Sequence, residues 1–296
     1  MTKVEWPTLV VLVLCYALWA GATTLVATFS LSLAVVLTGL AITLHSSLQH
    51  EALHGHPTPW TIVNEALVFP ALGLLVPYGR FRDLHLEHHR DAHLTDPYDD
   101  PESCYLDPKV WAQLPPLARR ILTFNNTLLG RMLIGPLISQ WSFMRGDLAR
   151  HVAGDGAPLR AWALHVLALL PVGLWLGTLG TMPLWSYLLA LYLGHAILRI
   201  RTFLEHQAHQ RANGRTVIIE DRGLLAFLFL NNNFHAVHHA VPQLPWYRLP
   251  ARYRAHRETY LARNRGYLYR SYGTIIRQYL LRTKEPVAHP IYDRPR

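Results

Sequence analysis

Two runs of this chain, residues 6–44 and 161–198, contain no Asp, Glu, Lys or Arg, and they limit what it can fold into more than any other feature. They are 39 and 38 residues long, whereas one helical crossing of a bilayer needs about 20 residues at roughly 1.5 Å each. Each run therefore predicts two spans. Glycine and threonine cluster at 21–24, and glycine, threonine and proline at 177–183, so the breaks are expected there. The expectation is four transmembrane helices in two hairpins, at about 6–25, 27–49, 161–178 and 182–200.

A hairpin returns to the side it left, which puts residues 50–160 and 201–296 on one face together with the first few residues. Every Lys and Arg lies outside the two runs and none is in a hairpin turn, so the positive-inside bias makes that face cytoplasmic, or its topological equivalent. The expected fold class is all-α: one integral-membrane domain over 1–296, with a cytosolic helical cap. A cleaved leader is not expected, because the first apolar run is far longer than a signal-peptide core and lacks a small-residue cleavage pattern.

Cys15 and Cys104 fall in different environments of this topology and predict no disulfide. Net charge is +9, concentrated late: 12 Lys or Arg against three acids from residue 248 onward, interleaved with Tyr253, Tyr260, Tyr267, Tyr269, Tyr272 and Tyr279. On the cytoplasmic face of a membrane protein, such a segment is read as lying on anionic headgroups, not on nucleic acid. Residues 62–78 are apolar but contain Asn64, Glu65 and two prolines. A full crossing there would separate the chain's histidines, so the segment is expected to be re-entrant or interfacial. Residues 121–144, half apolar, are expected to form a surface-lying helix.

The chain's 18 histidines are not scattered. His50 with His54 reads H-x3-H; His85, His88 and His89, and again His235, His238 and His239, read H-x2-H-H. On a helix, residues three and four apart share a face, so each cluster can aim two or three imidazoles at one point. Eight are too many for one tetrahedral ion and suit two neighbouring metal centres. His45 and His56 are expected outside the ligand set, and His165 and His195, inside spans, are expected to bond a neighbouring helix. His206 and His209, just after the fourth span, each could add a ninth ligand. Asp83, Glu87, Asp91 and Glu205 are candidate partners for the histidines' second N–H, while the acidic stretch 96–102 reads as a solvated turn.

These residues resemble the integral-membrane fatty acid desaturase and hydroxylase superfamily over roughly residues 45–250. The boxes read HEALH at 50–54, HLEHH at 85–89 and HAVHH at 235–239, and HLEHHRDAHLTDPYDDPES and EDRGLLAFLFLNNNFHAVHH are similar to bacterial members. The resemblance implies two non-haem irons bound almost wholly by histidine, O2 as co-substrate, a lipid acyl chain as substrate, and one further histidine after the fourth span. His206 fits that place better than His209. No catalytic residue beyond the metal ligands is expected.

No CxxCH, cysteine cluster or glycine-rich dinucleotide fingerprint is present. Electrons are therefore expected from a separate acidic carrier such as a ferredoxin. Desaturation is the first reading. The same site could instead make an alcohol or ketone on a lipid, alkane or carotenoid, since the boxes do not decide between two hydrogen abstractions and one abstraction followed by oxygen rebound. A histidine-rich metal transporter is the distant alternative, disfavoured because the clusters gather on one side of the bilayer.

Overall fold

The computed structural model describes residues 4–89 and 93–292. The chain is mostly helical. Its principal helices are α1 (Trp6–Phe29), α2 (Leu31–Leu53), α3 (Tyr78–His88), α4 (Gly135–Val152), α5 (Ala157–Thr178), α6 (Leu184–Thr202) and the short α7 (His235–Ala240). Strand β1 (Ile218–Ile219) pairs in parallel with β2 (Leu268–Tyr269). Two compact units divide the chain: Met1–Arg82 with Pro136–Leu198, and Asp83–Gly135 with Arg199–Arg296.

In the first unit, α1, α2 and α5 are long and apolar enough to cross a membrane. Val10, Leu14, Leu25, Leu167, Leu170 and Leu174 project outward from α1 and α5, as helices facing lipid require. The fourth expected span falls on α6, which is 19 residues long and ends in Arg199 and Arg201. It packs closely on α2. A Cβ added at Gly194 would come within 2.9 Å of the Gly39 carbonyl, the tight approach that small residues permit between helices.

The break in the first uncharged run comes later than expected. Ser30, extended and capping Leu33 N with its hydroxyl, separates α1 from α2. Residues 21–24 stay helical because the Thr23 and Thr24 hydroxyls donate to Trp19 O and Ala20 O, satisfying themselves within the helix. There α1 widens into a π turn over Ala22–Val26. The Thr23 carbonyl accepts instead from the amides of Thr181 and Met182, 3.0 and 3.1 Å away, between α5 and α6.

Residues 62–78 do not form one helix. After Thr61–Leu67 the chain runs irregularly to Pro77, and side chains of the surrounding helices meet its carbonyls. Tyr16 donates to Leu67 O (2.9 Å), Tyr187 to Leu72 O (2.9 Å), His195 to Gly73 O (3.1 Å), His165 to Leu74 O (2.8 Å) and Gln140 to Leu75 O (3.0 Å). Irregular backbone among apolar helices is tolerable only when its polar groups find such partners. His165 and His195 thus bond a neighbour as expected, but the partner is this irregular segment and not a helix.

The single surface helix expected at 121–144 is three helices, Pro116–Asn125, Leu128–Leu133 and α4. Thr127 restarts the helix by accepting from Gly130 N. In the second unit, β1 and α7 share a core of Ile218, Phe234, Val237, Leu249 and Tyr253. Leu230 and Asn231 take left-handed backbone angles just before α7, and Ala236 N donates to Val217 O. That turn sets the third histidine cluster against the strand.

Candidate metal centre

Six histidines of the second unit's boxes and His206 bring their Nε2 atoms together in two groups. In one, His89 Nε2 lies 3.0 Å from His85 Nε2 and 3.1 Å from His238 Nε2. In the other, His206 Nε2 lies 2.9 Å from His88 Nε2 and 3.0 Å from His235 Nε2, with His239 Nε2 3.2 Å from His235 Nε2. The groups are adjacent: the His89 and His239 rings stack with centroids 4.3 Å apart.

Each H-x2-H-H cluster is thus shared between groups and does not aim at one point. The i, i+4 pairs His85 with His89 and His235 with His239 stay together, and His88 and His238 go to the other group. At 3.6 residues per turn, i and i+4 differ by about 40° and i+3 falls on the other side of that pair. His50 and His54, in the first unit, close α2 with ring centroids 4.9 Å apart. Gly55, with φ +94°, ends that helix.

The spacing fits a metal. Imidazole nitrogens about 2.0–2.1 Å from a common ion are separated by roughly 2.9 Å at octahedral and 3.4 Å at tetrahedral angles. The observed 2.9–3.2 Å falls in that interval. Outer nitrogens are held too: His85 Nδ1 bonds Glu102 (2.8 Å), His88 Nδ1 bonds Asp100 (2.8 Å) and His235 Nδ1 bonds Asn232 (3.2 Å). Such partners fix the tautomer and leave Nε2 to the metal.

Of the four carboxylates expected around the histidines, Glu205 comes near but makes no hydrogen bond to a box histidine, since His235 Nδ1 bonds Asn232 instead. It accepts from Arg201 Nε (2.9 Å) and Asn232 Nδ2 (2.8 Å) and lies 3.8 Å from His235 Nδ1. Asp83 and Glu87 are half-buried on α3, and no hydrogen bond joins Glu87 to a described histidine. Asp91 lies outside the described residues. Asp100 and Glu102 come from the stretch read as a solvated turn. Their position in the sequence, 12 and 17 residues after the histidines they bond, was the available signal. His209 joins neither group; its Nδ1 accepts from Arg211 N at 3.0 Å. His45 meets the Tyr16 hydroxyl (3.3 Å) and His56 the Glu5 carboxylate (2.8 Å).

Burial, the largest influence on His88, opposes its charge, but Glu102 and Asp100 outweigh it and push the imidazole up to about 9. Burial holds His206 and His235 well below the ordinary histidine value, and the neighbouring imidazoles add to the effect. Glu102 would be raised by burial, yet His88 and His85 beside it hold it well below the usual carboxylate range. His206 and His235 are thereby favoured as neutral imidazoles, the form in which histidine binds a metal cation.

Comparison with protein families matches residues 22–271 to the family described as Fatty acid desaturase. With most of its length matched, the chain belongs to the fatty acid desaturase family, an oxidoreductase family that is typically diiron-dependent, acts on lipid acyl chains and associates with membranes. A search of curated proteins finds no match.

Proposed function

We propose that this protein is a membrane-bound non-haem diiron desaturase that inserts a double bond into an acyl chain, with His50, His54, His85, His88, His89, His206, His235, His238 and His239 as iron ligands. The observation that carries the proposal is the pair of inward-facing Nε2 groups, with the outer nitrogens of His85, His88 and His235 anchored. Iron held there supplies activated dioxygen able to take hydrogen from an unactivated methylene. In the overall balance, O2 accepts two electrons from the acyl chain and two from an external carrier, such as an acidic ferredoxin, and leaves as two waters. Asp100, Glu102 and Asn232 orient the ligand rings.

Expression in a host of simple lipid composition, followed by mass spectrometry of total lipids, tests the reaction. New lipids lighter by two hydrogens are expected, and only in oxygen. Hydroxylated lipid without any alkene would replace desaturation by hydroxylation.

We further propose four spans, with α6 the fourth and the histidines on the cytoplasmic side of a bacterial inner membrane. The packing of Gly194 on Gly39 supports α6 as a partner of α2 within the bilayer. Reporter fusions at Ser30 and Gly180 should report the far side, and a fusion at Arg82 the cytoplasmic side. A far-side signal at Arg82 would end the four-span arrangement.

A further inference from the structure

His206 differs from its neighbours in two ways. It stands on an irregular segment beyond the end of α6, and its buried Nδ1 has no hydrogen-bond partner among the described residues. His85, His88 and His235 are each oriented through Nδ1; nothing grips the His206 ring that way. Its orientation has to come from the backbone.

That backbone is gripped at nearly every residue. Tyr267 donates its hydroxyl to Leu204 O (2.7 Å). The Lys284 ammonium donates to His206 O. Gln207 N donates to Arg215 O (2.9 Å). Tyr105 accepts from Ala208 N (2.9 Å) while donating to Glu285. Lys284 and Glu285 are themselves 3.5 Å apart, and Lys284 is only 7% exposed. Burying an ammonium is costly unless it is paired and bonded, so this one is placed, not stranded.

The segment bearing Lys284 is anchored in turn. Leu129 N donates to Leu280 O (3.0 Å), Leu106 N to Val287 O (2.9 Å) and Asn126 Nδ2 to Glu285 O (2.5 Å). We propose that Lys284, Glu285 and Tyr105 are positioning residues for His206, a clamp that substitutes for the missing Nδ1 partner by fixing the peptides on both sides of the ring. The inference rests on the reading of His206 as a metal ligand. The clamp acts on one of the two metals only, because His85, His89 and His238 make none of these contacts in the other group.

The test uses full-length protein in detergent, stripped of metal, with Lys284→Met, Lys284→Arg and Tyr105→Phe, and Lys109→Met as a control on the exposed surface. Amide hydrogen exchange is read by mass spectrometry over 203–210 in the metal-free state, and Co(II) binding is then titrated by absorbance. Lys284→Met should speed exchange in that segment and weaken one of the two cobalt ions about 10–100-fold, as loss of an outer partner does, leaving the other unchanged. Lys284→Arg, which keeps the charge and donors, should restore both readings most of the way. Tyr105→Phe should move the same cobalt by less. Unchanged exchange, or faster exchange with both cobalt affinities intact, would overturn the clamp. Wild-type protein that binds no cobalt overturns the metal reading and with it the clamp's purpose, and is seen before any variant is compared.

Discussion

His235→Ala is expected to lose at least about 100-fold in activity and one of two irons per chain, with the fold retained. His235 Nε2 lies 3.0 Å from His206 Nε2 and 3.2 Å from His239 Nε2, so its removal leaves three imidazoles where an ion takes four or more. Asp100→Asn should be milder, about 10–100-fold, since it removes the charge on the His88 Nδ1–H and no ligand. His209→Ala should be neutral, because that ring caps a local turn. Metal analysis of the purified variants, with thermal unfolding as the control for folding, separates these outcomes. Full metal content and activity in His235→Ala would remove it from the ligand set.

Asp147→Ala is expected to be the most destabilising single change in the first unit, by about 3–5 kcal/mol. Arg80, 1% exposed, donates from Nε to Asp147 Oδ1 at 2.8 Å, and Trp162 Nε1 donates to the other oxygen at 2.9 Å. One carboxylate thereby ties α3, α4 and α5. Without it, a buried guanidinium and an indole N–H both lose their acceptor, which costs more than the pair contributes by being present. Denaturant unfolding in detergent measures the loss. A change within about 0.5 kcal/mol, the scale of an ordinary surface substitution, would mean that water reaches Arg80.

The helices and histidines were legible because their signals are local. Uncharged runs give spans, and spacing along a helix gives a shared face. What the sequence hid were choices between equally local options. Thr23 and Thr24 look like a break, yet in an apolar helix their hydroxyls bond the preceding turn. The H-x2-H-H clusters place three rings near one face, and only the crossing of α3 with α7 decides which ring serves which group. Asp100 and Glu102 lie in a stretch rich enough in Asp and Pro to pass for a solvated turn. Their partners are fixed by a chain reversal that no periodicity encodes. The grip on His206 comes from residues 78 positions along the chain in the case of Lys284, beyond any spacing argument.

The carbonyls of residues 67–75 bear on biogenesis. Leu72 O waits for a tyrosine 115 residues later, and Gly73 O for a histidine 122 residues later. At ribosomal rates of about 5–20 residues per second, that is roughly 6–24 s. In the four-span arrangement proposed above, the segment's carbonyls would need water during that interval, so it would rest at the headgroup level until α5 and α6 bring the missing donors.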